Sequence, residues 1–415
     1  MKSEREQESF SQAEERIITF WKKDKVFERS LEQTKKGKLF SFYDGPPFAT
    51  GLPHYGHLLA GTIKDAVQRY FTMQGYFVPR RFGWDCHGLP VENEIEKEKK
   101  LSGSEAIEHF GIAAFNEECR RIVLRYTKEW EYTVERMGRW VDFSDSFRTM
   151  DKEFMESVWW IFGQLYKKGL VYEGFKVMPF STKLGTPLSN FEANLNYKEV
   201  DDPSITVAFP LVEDPSISLV AWTTTPWTLP SNLALALHPG LSYVLIEDKG
   251  KKYIVAKERL QVHFPNASIL KEFLGKELEG KDYYPPFSYF EERRLENAFR
   301  VLMEESISAE EGTGIVHMAP AFGEVDFFTC QKSGIEPVCP IDQNGHFTAP
   351  IALVEGLYVK EADKEIIKHL KKEGKILSHT QIHHRYPFCW RSDTPLIYKA
   401  VRTWFVAVEK LKDKM

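Results

Sequence analysis

Leu39-Phe40-Ser41-Phe42-Tyr43-Asp44-Gly45-Pro46-Pro47-Phe48-Ala49-Thr50-Gly51-Leu52-Pro53-His54-Tyr55-Gly56-His57 is the stretch from which the rest of the chain can be read. Its first five residues form a short, mostly apolar run that reads as a buried strand. A Gly/Pro loop from Asp44 to Pro53 follows, then a helical pattern from Tyr55 to Met73, then a second strand-like run from Phe77 to Phe82. Strand, helix and strand in that order predict a βαβ unit, hence a parallel sheet with helices packed on it. Ligands of such sheets sit at the carboxyl ends of strands, where this loop lies.

The residues after the loop carry chemistry. His54 and His57 are three apart and share a face of the first helical turn. Helix N-termini favour anions. Two imidazoles placed there can hydrogen-bond phosphate oxygens and stabilise charge that builds up on them. Gly56 leaves room for a nucleotide to approach the backbone. On the residues alone, a zinc pair or two surface histidines remain alternatives. A zinc site built from His54, His57, Cys86 and His87 is a further one, although no catalytic carboxylate is spaced as in zinc hydrolases.

Outward from this centre, residues 9–29 read as an amphipathic helix, with Phe10, Ile17, Ile18, Trp21 and Phe27 near helical spacing. The stretch 104–170 is rich in helix formers and reads as mostly helical. Near Asn196 the texture changes. From about residue 200 to 385 there are short β-type runs, Ser204–Phe209, Ser218–Thr223, Tyr243–Ile246 and Lys252–Val255, separated by Gly, Pro and Asp turns. After 387, Pro395–Tyr398 and Thr403–Val406 read as a return to the first domain. There are no internal repeats and no low-complexity tract.

With 415 residues, 42% of them hydrophobic, the chain can bury cores in roughly two to four domains. Thirty Phe and ten Trp exclude a disordered chain. The net charge of −5 means that a nucleic-acid partner would need local basic patches. Candidates are Arg80-Arg81, Arg120-Arg121, Lys167-Lys168 and His383-His384-Arg385. Five scattered cysteines, an odd number, argue against a disulfide framework and for a reducing compartment. The N-terminus does not read as a signal peptide. No apolar run reaches the roughly 18 residues that span a bilayer. A cytoplasmic protein is expected, with no membrane partner.

The strand, the Pro-Pro loop and Gly51-Leu52-Pro53-His54-Tyr55-Gly56-His57 together resemble the ATP signature of the class I aminoacyl-tRNA synthetases. Gly83-Trp84-Asp85-Cys86-His87-Gly88-Leu89-Pro90-Val91-Glu92 resembles their isoleucine branch. The resemblance implies an α/β fold: an incomplete Rossmann-like parallel-sheet nucleotide-binding domain, interrupted by a β-rich, barrel-like editing domain. It places a helical extension at 1–36, the first half of the catalytic domain at 37–198, the editing insertion at 199–386 and a truncated return at 387–415. ATP would be bound by Pro47, Gly51, Pro53, His54, Gly56 and His57, with the two histidines catalytic. Pro46 would wall the amino-acid pocket, and Asp85 would hold the amino group of isoleucine as a charge-assisted pair. The implied reaction is attack of the isoleucine carboxylate on the α-phosphate of ATP, normally with Mg2+, then acyl transfer to tRNA(Ile).

Such a pocket rejects a smaller amino acid poorly, because one methylene is worth only ~1–3 kcal/mol, a limit for which this enzyme family is itself the standard example. The resemblance implies a second, hydrolytic site. Trp222-Thr223-Thr224-Thr225-Pro226-Trp227-Thr228-Leu229-Pro230-Ser231-Asn232 is one half of its signature. Gly312-Thr313-Gly314-Ile315-Val316-His317-Met318-Ala319-Pro320-Ala321-Phe322-Gly323-Glu324-Val325-Asp326 is the other. Thr223, Thr224 and Thr225 would bind the ester and a water. Thr228 and Asn232 would shape the pocket, His317 would help exclude isoleucine, and Asp326 would anchor the α-amino group of valine. On the residues alone, three threonines are a plain strand end and Asp326 a solvated loop residue.

The sequence ends at Met415 without the Lys-Met-Ser-Lys-Ser loop and the anticodon-binding domain of the family. The expected protein is therefore an N-terminal portion, monomeric within a full-length enzyme or paired with a separately encoded C-terminal half. A stand-alone editing hydrolase and a non-catalytic tRNA-binding fragment are the alternatives. Some relatives hold zinc through Cys-x-x-Cys pairs at the positions of Ser181–Leu184 and Cys389–Ser392. Only Cys389 is present here, and one thiolate cannot hold a structural zinc. No metal ligand is assigned, and any zinc site would belong to the missing C-terminal part.

Overall fold

In the computed structural model, which describes residues 8–101 and 103–415, the central helix runs from Tyr55 to Met73, as read. His54 caps it in an extended conformation, and Gly75 follows its end with φ +83°. A left-handed glycine just past a helix lets the chain turn back without steric penalty. Parallel bridges Leu39–Phe77 and Phe48–Asp85 stand on either side of the helix, which is the βαβ connectivity. The strand expected over Leu39–Tyr43 is reduced to the first of these bridges, and both Leu39 and Tyr43 are exposed. Longer parallel pairing occurs one step further along, between Arg81–Trp84 and Asp142–Arg148, with a shift of register between Arg81 and Gly83.

These elements belong to the first of two compact units, which ends at Leu170; the second begins at Val171. The core of the first unit is built from Phe82, Trp84, Val91, Ile95, Phe115, Ile122 and Trp130. The single helix expected over 9–29 is two helices, Phe10–Lys23 and Val26–Thr34, broken where Lys25 adopts φ +48°. Trp21 and Phe27 nonetheless point the same way. Both pack on Trp140, with ring centroids 5.3 and 6.0 Å away. Arg80 is a correction to the basic patches read from sequence. It is 1% exposed, it donates to the Gln68 carbonyl at 3.1 Å, and burial lowers its pKa to about 10. Arg385 lies over the Tyr197 ring, 5.3 Å from its centroid, and most of the other arginine and histidine candidates are matched by carboxylates, Arg81 by Asp145 among them. Arg120 pairs with Glu117, Arg121 with Glu98 and Glu118, and His383 and His384 with Asp201 and Asp202.

In the second unit a six-stranded sheet runs in the order Ser268–Leu274, Ser242–Asp248, Lys251–Ala256, Ile217–Thr223, Tyr197–Pro210, Ile376–Pro387. All four β-type runs read from sequence lie in it. Alternation explains its packing. Leu219 and Ala221 face the main core, whereas Val220 between them faces a smaller cluster with Val244, Ile246 and Val255. A three-stranded sheet, Arg300–Met303, Ala234–Leu237 and Ile315–Met318, shares the main core. The two end strands of the large sheet do not pair with each other, so the barrel-like closure expected from the resemblance is absent among the described residues. Two sheets sharing one core bury the same apolar faces without closing. Ile397–Val406 pairs antiparallel with Val171–Ser181. Among the described residues no helix is long and apolar enough to cross a membrane.

Gly83 sits in the parallel strand pair. A Cβ added there would meet the Phe147 ring at 2.2 Å. Gly83→Ala should lower the stability of the first unit by about 1–3 kcal/mol, the usual cost of overpacking. Urea unfolding of the variant, compared with Gly83→Ala combined with Phe147→Leu, checks this. The second change should restore part of the loss.

Candidate functional site

In the first unit the Gly/Pro loop is pinned at every second carbonyl from Pro47 to Gly51. Pro47 accepts from the Asp85 amide at 2.9 Å, Ala49 from the Tyr126 amide at 3.0 Å and Gly51 from the Trp130 indole at 2.9 Å. Pro46, Pro47, Gly51, Pro53, His54, Gly56, His57 and Asp85 are thereby held around one loop and one helix start. Asp85 is half-buried; its Oδ1 lies 3.4 Å from the His87 amide and from the Thr149 hydroxyl. Thr149 gave no sequence signal, because it lies far along the chain in an unremarkable turn.

The two histidines are oriented by the backbone. The Gly56 amide donates to His54 Nδ1 at 3.1 Å, and the His54 amide donates to His57 Nδ1 at 3.3 Å. With both Nδ1 atoms accepting, the ring protons lie on Nε2, an assignment made from the hydrogen bonds. The rings stack with centroids 3.6 Å apart. Burial, then His54 and Lys64, hold the His57 imidazole below its usual pKa of 6.5, so its Nε2 is a neutral donor near pH 7. Gly56 makes this possible. A Cβ there would lie 3.0 Å from the His54 ring, so the space it leaves is taken first by that ring. Beneath the loop, buried Asp44 accepts from Lys64 at 2.6 Å and from Arg139 at 2.5 Å. This ion cluster was not read from the sequence, and its members are scattered over three elements.

In the second unit, strand Ile217–Thr223 runs into Thr224, Thr225 and the 3-10 turn Pro226–Ser231. Strand Ile315–Met318 presents His317 to that turn. Thr228 Oγ1 lies 2.8 Å from His317 Nε2, and Asn232 Nδ2 lies 3.2 Å from His317 Nδ1. The proton positions follow in sequence. The Tyr283 hydroxyl donates to Asn232 Oδ1 at 2.7 Å, which fixes the amide. Asn232 Nδ2 then donates to the Ala234 carbonyl at 2.9 Å and to His317 Nδ1. His317 carries its proton on Nε2 and donates to Thr228, whose own hydrogen goes to the Thr225 carbonyl at 2.8 Å. Burial lowers the His317 imidazole from 6.5 to about 4, in keeping with a neutral ring. Thr225 Oγ1 lies 3.3 Å from the hydroxyls of both Thr223 and Thr228, so the threonines form one chain of hydroxyls. Thr224 is half-buried beside them.

Asp326 lies in the first turn of helix Glu324–Lys332 and folds back on the strand that carries His317. Its Oδ2 accepts the Ala319 amide at 2.8 Å. A Cβ at Gly323 would fall 2.6 Å from this carboxyl group, so only glycine leaves it room. Burial raises the Asp326 carboxyl from 3.8 to about 6. A bound cation would relieve that cost. Among the described residues no three His, Cys, Asp or Glu side chains are gathered so as to hold a metal ion.

The sequence pattern of the tRNA synthetases class I (I, L, M and V) matches residues 16–415. The chain belongs to the class I tRNA synthetases. Within that family it is similar to the isoleucine–tRNA ligase of Protochlamydia amoebophila (strain UWE25), 63% identical over 99% of this chain and 40% of that protein. The isoleucine–tRNA ligase of Chlamydia pneumoniae is 61% identical over 98% of this chain and 39% of its own length. The class I chain described here thus spans about 40% of the length of the curated relatives it matches. A solved structure, the crystal structure of GlLeuRS-CP1, overlaps 43% of the chain at a TM-score of 0.36 and 15% identity, too loose a likeness to argue from.

The buried histidine gives a test in solution. Its folded-state value, about 4, lies below the ordinary 6.5. Between those values the unfolded chain binds a proton that the folded chain does not, so the contribution of His317 to stability falls as pH drops through that window. Nitrogen NMR of the ring should show a neutral Nε2–H tautomer with no titration between about pH 5 and 8. A midpoint near 6.5 would refute the network.

Proposed function

We propose that this chain is the N-terminal portion of an isoleucine–tRNA ligase that activates isoleucine with ATP, transfers it to tRNA(Ile) and hydrolyses wrongly made valyl-tRNA(Ile). The observation that carries this reading is the directed chain Tyr283–Asn232–His317–Thr228–Thr225, beside the hydroxyls of Thr223 and Thr225. It joins Thr228 and Asn232 of one signature segment to His317 of the other, which supports reading the two segments as one site. In this proposal residues 37–198 and 387–415 contribute to a Rossmann-like catalytic domain, residues 199–386 form the editing insertion, and 1–36 are an extension.

At the editing site the Asp326 carboxylate pairs with the α-ammonium of the aminoacyl ester. That charge favours the ionised form against a pKa of about 6 and ties selectivity to an amino acid rather than a plain ester. His317, rigid and neutral, walls the side-chain pocket. The threonine hydroxyls orient the ester and a water, and no side-chain nucleophile is invoked. The hydroxyl network and His317 lie wholly in the second unit, which favours hydrolysis as an activity of this chain itself.

At the nucleotide site, His54 and His57 offer outward Nε2–H donors at a helix N-terminus, where phosphate charge is stabilised. Asp85 receives the ammonium of isoleucine and Pro46 walls its side chain. Magnesium would neutralise phosphate charge. No group of protein ligands suited to it is present among the described residues, so it would arrive with the nucleotide and no step is assigned to it.

Purified chain should release valine from valyl-tRNA(Ile) and leave isoleucyl-tRNA(Ile) intact. Asp326→Ala should slow that release by about 10-fold or more, through loss of a charge-assisted contact, without affecting ATP binding. Unchanged deacylation would sink the editing assignment. In the full-length enzyme, His57→Ala should slow ATP–pyrophosphate exchange by about 100-fold, the loss typical of one transition-state donor. A rate near that of wild type would remove His57 from the mechanism.

A further inference from the structure

Helix Val359–Lys372 buries Val359, Ala362, Ile366, Ile367 and Leu370 on one face. Asp363 stands in the middle of that face, 4% exposed. Burial raises its carboxyl from 3.8 to about 7, despite the opposing pull of Lys360. A carboxylate in an apolar stripe is a costly choice unless it has a specific partner. Its partner is a backbone amide. Asp363 Oδ1 accepts the N–H of Trp227 at 2.7 Å.

That amide occupies a particular place. The 3-10 turn Pro226–Ser231 begins with a proline, which has no N–H, and Thr225 before it provides no side-chain cap. The Thr228 amide already bonds to the Thr225 carbonyl at 2.9 Å. The Trp227 amide is therefore the donor at the start of the turn that needs an acceptor from elsewhere, and the turn is wholly buried. Asp363 supplies it from an element well over a hundred residues away. The same turn sets Thr228 against His317 Nε2 and leads into Asn232, which meets Nδ1.

We propose that Asp363 is a positioning residue of the editing site: as an external cap on Trp227, it fixes the turn that holds Thr228 and Asn232 on His317. This rests on the editing reading above. Asp363 contacts the backbone of the turn and not the side chains of the threonine–histidine network. It acts by holding a backbone segment, so removing its oxygen lets the turn shift and separates the two side chains from the imidazole. Asparagine at 363 keeps an acceptor oxygen in the same place. Leucine suits the apolar face but offers none, so the Trp227 N–H is left buried without an acceptor, which lowers stability as well as freeing the turn.

The test measures kcat and KM for valyl-tRNA(Ile) deacylation by the whole chain, with D363N and D363L, alongside the melting temperature and hydrogen exchange of the Trp227 amide. D363L should still fold but melt below wild type, because a buried donor is left unmet, and should lose about 10- to 100-fold in kcat as the turn shifts, with KM little changed. D363N should keep kcat within about threefold, because the hydrogen bond is retained. The Trp227 amide should exchange faster in D363L only. A folded D363L with wild-type kcat, or with unchanged Trp227 exchange, overturns the proposal. If D363L does not fold, D363N decides: a kcat as low as that of an editing-dead chain, with Trp227 still protected, also overturns it. If the unmodified chain releases no valine, the editing reading fails, and the exchange of Trp227 alone decides whether Asp363 caps the turn.

Discussion

His317 has two ring nitrogens and almost no contact with water, so the protein must satisfy both. Leaving either unmet would cost about 1–3 kcal/mol. This requirement organises the second unit around it. Thr228 meets one nitrogen and Asn232 the other, and each is in turn held by a further partner. Because the Tyr283 hydroxyl fixes the Asn232 amide, and Asn232 in turn donates to Nδ1, the imidazole has one tautomer and one orientation. A rigid neutral ring can discriminate by shape, since it neither swings aside nor gains charge near neutral pH. The sheets bring strands Ile217–Thr223 and Ile315–Met318 together, and the hydrogen bonds then set the details.

The first unit solves a different problem with similar means. Its histidines stand at a helix start, with one face to solvent, and the backbone amides of residues 54 and 56 set their tautomers. Here the orienting groups are local, within one turn of helix. Beneath them the buried Asp44 carboxylate is shared by Lys64 and Arg139, which ties the loop to the helix and to the chain after Arg136. The loop that would face a nucleotide is thus fixed from below by charge and at its carbonyls by amides, while its histidine donors are left outward.

Much of this was legible in the sequence where local pattern and burial agree. The helix Tyr55–Met73 followed a Gly/Pro loop and carried a helical pattern, and the strand runs around residues 206, 220, 245 and 254 were β-branched and bounded by turns. Asp142–Arg148 was missed because Asp-Phe-Ser-Asp-Ser-Phe-Arg is polar and becomes a strand only by pairing with Arg81–Trp84. Lys25 broke a helix that its neighbours' periodicity would have continued. Arg80 read as surface charge because sequence does not reveal that Trp140 and Phe27 stack around it. At the site, motif position picked out His317, Thr228 and Asn232, which the fold does bring together. Tyr283 left no trace, since its link to Asn232 is purely tertiary. Asp363 did leave one: a lone carboxylate where the helix pattern asks for an apolar side chain.

Pro226 has a consequence for how this region can change over time. Proline removes an amide that would otherwise be buried at the start of the turn, so one acceptor, Asp363, is enough for the segment. Any other residue at 226 would introduce an additional buried N–H, and any apolar residue at 363 would strand the existing one. Each position thus constrains the other although they share no side-chain chemistry. A change at 226, or a change at 363 to a side chain without an acceptor, is therefore accommodated only if the turn itself is rebuilt.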